Sequence, residues 1–203
     1  MSIKTLIEQR ISCNYFDPEH TLGDADIKEL VRLATLAPSA YNGQNWRFIA
    51  VQSASAKQNL LKHAYGQGKV ADAAVSFIVC GRLDLHTGLA QALAPSVSAG
   101  ILKPELAENM LHYANEAYHN QPQRQRDEAI RSASLAAMTL MLAAQGMGLA
   151  SCPMTGFDAT GVAEEFELSA EEIPVMLITV GKSAANNWPQ KPRKTLNEVL
   201  DFA

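Results

Sequence analysis

The sequence predicts an α+β fold, a small sheet covered by helices. Helix-patterned segments outnumber strand-patterned ones. Their order does not alternate as a doubly wound fold requires. One run, Val75-Ser76-Phe77-Ile78-Val79-Cys80, is apolar almost throughout, which suits a strand buried on both faces. The 203 residues, 47% hydrophobic and 19% charged, fit one compact domain spanning 1–203 with a real core.

The elements follow in chain order. Thr5 to Arg10 reads as a short helix ending near Ser12. A second helix runs from a cap at Asp24 or Asp26 to about Leu36, where Pro38 stops it by lacking an N–H. Arg47 to Gln52 is a strand. Ala54 to Ala64 is a helix capped by Ser53 or Ser55. The Val75–Cys80 strand comes next. Ala107 to His119 is a helix. The charged stretch Gln123 to Glu128 leads into a long helix from Ile130 to Gln145. Alanines on several of its faces mark a central helix approached closely from all sides. Gly146 and Gly148 end it. A short segment near Ala150 to Pro153, a helix around Asp158 to Phe166 and a strand from Val175 to Val180 complete the order. Gly181 to Arg193 is an irregular tail. This tail and Gln121 to Arg126 bury themselves poorly, so a second subunit is expected to pack on them.

Composition excludes several function classes. A net charge of −4 argues against nucleic-acid binding, which favours a basic face. The three cysteines, Cys13, Cys80 and Cys152, have neither a disulfide-framework nor a zinc-site spacing. No apolar run approaches the roughly 20 residues of a membrane span. The first residues, Met1 to Glu8, lack a signal-peptide apolar region. The expectation is a soluble, cytoplasmic protein with no nucleic-acid or membrane partner.

Four scattered segments put polar or basic groups beside Gly, Pro or Ser. They are Arg10-Ile11-Ser12-Cys13-Asn14, the loop Pro38 to Trp46, Gly66-Gln67-Gly68-Lys69 and Lys191-Pro192-Arg193. Cations on short irregular segments suit a phosphate. No Walker loop is present, and Gly66-Gln67-Gly68 is too short for a Rossmann fingerprint. The loop lies between a helix end and a strand start, where ligands are often gripped.

Together these segments resemble the FMN-dependent nitroreductase family. Arg10-Ile11-Ser12 with Tyr15-Phe16 is similar to its opening Arg-x-Ser motif. Pro38-Ser39-Ala40-Tyr41-Asn42-Gly43-Gln44-Asn45-Trp46 resembles its Pro-Ser-x-x-Asn-x-Gln-Pro-Trp loop. Pro153-Met154-Thr155-Gly156-Phe157-Asp158 resembles its Pro-x-x-Gly-Phe-Asp segment, and Lys191-Pro192-Arg193 its basic end. The likeness runs from about residue 6 to residue 200 and is weakest over 85–128. It implies a nitroreductase-like α+β fold with a small mixed sheet, and a homodimer with FMN at the interface. Carried over, Arg10, Lys191 and Arg193 would hold the FMN phosphate with Ser12 beside it. Pro38, Ser39 and Asn42 would reach the cofactor from the partner subunit. Gln67 would bond the pyrimidine edge, with Lys69 neighbouring it. Thr155 and Gly156 would bring backbone N–H groups near the flavin's reactive edge. Ile11, Ala40 and Pro153 fall in the same cofactor-binding motifs.

Three positions depart from the pattern. Asn14 stands where the family often has Lys or Arg, so weaker stabilisation of the reduced flavin is expected. Thr155 replaces a frequent Glu, and Asn45 a common Pro. The implied activity is hydride transfer from NADH or NADPH to a small-molecule acceptor, such as a nitroaromatic or quinone, by a ping-pong mechanism. The flavin carries that chemistry, so no catalytic side chain is required. The fold also serves dehydrogenation and dehalogenation, and a flavin-binding protein without turnover is a further alternative. His112, Glu116 and His119 share a helical face but lack the second motif of a di-iron site, so they read as a solvated face and no metal is expected. Ser12 and Ser39 lack the nucleophile-elbow context of a hydrolase.

Overall fold

The computed structural model describes residues 2–203. Its centre is a sheet of β1 (Trp46–Val51), β2 (Val75–Arg82), β3 (Ala150–Met154) and β4 (Glu172–Gly181) in the order β1-β2-β4-β3. All neighbouring strands pair antiparallel. The expected mixed sheet is therefore corrected. Among the described residues, parallel pairing is confined to an isolated bridge from Ser12 to Ser151 on the free edge of β3. Helices do join β1 to β2 and β3 to β4, but each connection returns the chain at the end of the sheet where it left, so these neighbours run antiparallel. Pro153 lacks a ladder N–H and is tolerated because β3 is an edge strand.

Side-chain alternation divides the core into two layers. Val75, Phe77 and Val79 of β2 and Ile178 and Val180 of β4 face one side. There they meet α2 (Asp24–Ala34) and α7 (Pro122–Gly146) through Leu30, Ala34, Ala133, Ala137 and Leu140. Ile78, Cys80 and Leu177 face the other side, against α3 (Ala54–His63), α4 (Lys69–Asp72) and α8 (Ala159–Glu165). β2 is buried from Val75 to Gly81, as its unbroken apolar character predicts. Ser76 is accommodated by donating to Val70 O at 3.1 Å.

The small residues of α7 let it lie directly on the sheet. A Cβ on Gly81 would come within 2.5 Å of Ala129 O, so the helix and β2 approach too closely for any side chain there. The helix begins at Pro122, earlier than the sequence suggested. The charged stretch 123–128 is its first turns and not a lead-in. Glu128 is buried and kept there by Arg131 and by Ser132, whose Oγ donates to it at 2.8 Å.

α1 (Ile3–Gln9) and α6 (Pro104–Tyr118) match their predicted segments closely. The cap of α2 is Gly23, not Asp24 or Asp26. Asp26 instead accepts the Gly23 N–H at 3.2 Å. α5 (Leu85–Ser98) is additional. It packs on α6 as a satellite of the core through Leu85, Leu89 and Leu93. Beyond β4 the chain is irregular except for a short 3-10 turn at Leu196–Glu198.

Candidate functional site

The free edge of β3 organises the site. Ser12 bridges to Ser151, and the Cys13 N–H donates to Ser151 O at 3.0 Å. The following residues pair with the chain leaving β4. The Asp17 N–H donates to Lys182 O at 2.9 Å, and the Ala184 N–H to Tyr15 O at 2.9 Å. Asn187 then joins the two segments. Its Oδ1 accepts from the backbone N–H of Asn14 at 2.7 Å and Tyr15 at 3.1 Å, and its Nδ2 donates to Tyr15 O at 2.8 Å. The opening segment and the tail, separated by most of the sequence, therefore lie side by side.

Between them is a pocket of about 250 Å³. Seven of the sequence-predicted site residues line it: Arg10, Ile11, Ser12, Asn14, Lys69, Lys191 and Arg193. Four of these seven are cations, and Nη1 of Arg10 is buried without a hydrogen-bond partner. A guanidinium nitrogen removed from water in this way calls for an anion oxygen. The Lys191 ammonium sits 4.8 Å from the centre of the Trp188 ring, a cation–π contact within the tail. Arg193 Nη1 donates to Lys191 O at 2.6 Å.

Lys69 enters from α4. Its Nζ donates to Asn14 Oδ1 at 2.9 Å and lies 3.6 Å from Cys152 Sγ. Burial pushes the Cys152 thiol up, and the neighbouring Lys69 charge only partly offsets that. Burial likewise raises Cys13 and pushes Cys80 up to about 12. These thiols are poor nucleophiles, in keeping with their core positions.

Pro153, Thr155 and Gly156 form a second group at the C-terminal end of β3, joined by Gln67. Gln67 Nε2 donates to Gly156 O at 2.8 Å, which ties the turn before α4 to the segment leaving β3. Pro153 lies in β3 opposite Ile178, while Thr155 and Gly156 are exposed.

Pro38, Ser39, Ala40 and Asn42 do not line the basic pocket. They form a rigid turn in which Ser39 Oγ accepts the Gln44 N–H at 2.9 Å. Tyr41, Asn42 and Gln44 hold positive φ angles of 54°, 56° and 48°. Non-glycine residues seldom adopt this conformation, and three of them in one turn persist only because the surrounding structure holds them. The turn rests on α5, so close to Leu85 that a Cβ on Gly43 would come within 2.9 Å of that side chain. Trp46 is buried against Ala37 and Ala136, a packing role.

Sequence reasoning missed Asn187, Cys152 and Trp188 as site elements. Nothing about Asn187 signals its role, because its partners in the opening segment lie more than 170 positions away. His112 pairs with Glu116 at 3.5 Å on an open helix face, as expected of a solvated pair.

The nitroreductase family profile matches residues 7–182. YodC of Bacillus subtilis, a protein named for NAD(P)H nitroreductase activity, is 34% identical over 96% of this chain and 95% of its own length. The crystal structure of ydfN from Bacillus subtilis superposes with a TM-score of 0.92 at 33% identity, covering 98% of both chains. A structure from Exiguobacterium sibiricum in complex with FMN gives a TM-score of 0.93 at 25% identity, covering 100% of this chain and 98% of its own. The chain belongs to the nitroreductase family.

Proposed function

We propose that the protein is an FMN-dependent oxidoreductase, built as one domain over 1–203. It takes hydride from NADH or NADPH and passes it to nitroaromatics, quinones or similar acceptors. The observation that carries this reading is the basic pocket with its unpartnered Arg10 nitrogen. That donor set fits a phosphate monoester. Arg10, Lys191 and Arg193 would hold it, with Ser12 beside them.

When bound, FMN supplies the hydride chemistry, accepting from one substrate and delivering to the next. The chain's own residues bind, orient and tune. Lys69, on the pocket wall, would offer a positive charge to balance the negative charge that reduction adds. Gln67, whose Nε2 donates to Gly156 O, would bond the pyrimidine edge. Thr155 and Gly156 are exposed, and their backbone N–H groups are free to meet the ring. The proton can come from water, so no general acid is assigned. Acceptor and donor would use one face in turn, giving ping-pong kinetics.

A homodimer follows from the same reading. The pocket's 250 Å³ falls below the roughly 300–1,000 Å³ of self-contained small-molecule sites. The turn Pro38–Asn42 is partly exposed and does not line the pocket of its own chain. It is the natural contribution of a partner subunit. The exposed apolar side chains of the C-terminal tail are consistent with burial in such an assembly.

The test is direct. Purified protein should be yellow, with a dimer mass. Anaerobic NADH or NADPH should bleach it, and a nitroaromatic or quinone should restore the colour. Bleaching without recolouring by either acceptor would move the assignment to another flavin reaction. A colourless protein that cannot be loaded with FMN would refute the scheme.

A further inference from the structure

Position 14 carries a neutral side chain on a wall where the family's resemblance leads one to expect a cation. Lys69, a cation that lines the same pocket, is hydrogen-bonded to that side chain. The Asn14 amide is fixed at both ends. Its Nδ2 donates to Ser12 O at 3.3 Å, and its Oδ1 accepts from Lys69 Nζ at 2.9 Å. The orientation follows from the partners, since a carbonyl only accepts and an ammonium only donates. A flipped amide would set NH2 against the ammonium. The Asn14 backbone is held as well, through its N–H to Asn187 Oδ1 at 2.7 Å. The acceptor is therefore anchored before Lys69 reaches it.

Lys69 has little else to hold it. Among the described residues no carboxylate forms an ion pair with it. Its other polar neighbour, Cys152 Sγ at 3.6 Å, is a weak acceptor. The helix beneath it is secured separately, because Lys57 donates to the carbonyls of Ala71 and Ala73. Freed from Asn14, the ammonium would swing on a flexible four-carbon stem and prefer water.

We propose that Asn14 is a positioning residue whose amide oxygen holds the Lys69 ammonium against the pocket, so that Lys69 supplies the charge that position 14 itself lacks. The inference rests on the FMN reading above. Its consequence is that Asn14 acts on the bound flavin through Lys69 and not by contact of its own.

The experiment is a double-mutant cycle on the FMN-loaded protein, read as the midpoint potential of the bound flavin. Lys69→Met should weaken binding of reduced relative to oxidised FMN about tenfold, which for a two-electron couple lowers the potential by about 30 mV. Asn14→Ala should shift it in the same direction by a smaller amount, and should add nothing in the Lys69→Met background. Asn14→Leu keeps the volume without the acceptor and should behave as Asn14→Ala, so a folding defect in one variant leaves the other informative. Native potentials in both Asn14 variants, or an Asn14 shift unchanged when Lys69 is absent, would overturn the inference while leaving the flavin reading intact. A native chain that cannot take up FMN would overturn both.

Discussion

Arg10 Nη1 is buried without a partner, and Arg193 is exposed beside it on the tail. Both line the basic pocket, yet their environments differ. Arg10→Ala and Arg193→Ala are each expected to weaken FMN retention by about 1.5–3 kcal/mol, the scale of a charged hydrogen bond. The more exposed Arg193 belongs at the lower end. Fluorescence titration of apoprotein with FMN checks this, and unchanged affinity in both would refute the phosphate assignment. A different charged pair governs stability. Arg47 Nη1 lies 2.9 Å from Glu172 Oε2 across the sheet, with the Glu172 side chain 3% exposed. Burial pushes the Glu172 carboxyl up, but its bonds to Ser169 and the Arg47 charge outweigh this and hold it below the ordinary range. A depressed carboxylate stabilises the fold above its unfolded-state pKa, and that contribution fades as pH falls through the lowered value. Arg47→Met should therefore cost about 1–3 kcal/mol near neutrality, because a buried charge loses a partner. Half-exposure of Arg47 favours the low end. The deficit should narrow below about pH 4 as the carboxyl protonates. Urea unfolding at both pH values measures it, and a deficit independent of pH would exclude Glu172 as its origin.

Among the elements, α7 makes the firmest demand. Its backbone lies against β2 at Gly81, where a methyl would meet Ala129 O at 2.5 Å. Backbone cannot swing aside as a side chain can. Gly81→Ala should thus destabilise by about 1–3 kcal/mol, the range for overpacking, measured as a lower denaturation midpoint. Wild-type stability would show that α7 can shift on the sheet. The alanines of α7 made its central place legible from the sequence, as did the apolar run of β2. Both are local signals that burial enforces directly. The first turns of α7 were obscured because their charges face solvent while Glu128 alone turns inward onto Arg131 and Ser132. α5 was hidden by Gly88 and Pro95, residues that usually break helices. Its Leu85, Leu89 and Leu93 spacing binds it to α6 despite them. The site motifs were legible, since short irregular segments carry dense turn and charge signals. What joins them was not. The Ser12–Ser151 bridge and the Asn187 clasp are long-range pairings with no periodic trace.

At the scale of the whole molecule, the termini set the last expectation. Ile3 and Ile7 of α1 are 61% and 53% exposed, and Leu196, Val199 and Phe202 of the tail are 73%, 63% and 93% exposed. Scattered apolar exposure is normal, but these residues share two short segments at the chain ends and lack any core of their own. The tail's inner part, from Asn187 to Arg193, is tied to the opening segment and to the basic pocket. Its outer part makes a capping turn at Thr195–Glu198, so it is shaped without being packed. Burial against a second copy would give it a purpose and would bring a partner's Pro38–Asn42 turn within reach of the flavin. Deleting residues 195–203 spares every pocket-lining side chain. The deletion should nevertheless shift the protein toward monomer and lower its FMN content in parallel. Sedimentation velocity and the flavin-to-protein absorbance ratio would follow the two together. A fully dimeric, fully loaded deletion variant would relieve the outer tail of any part in assembly. A monomer that keeps its FMN would show that one chain forms a complete site, contrary to the shared-site reading.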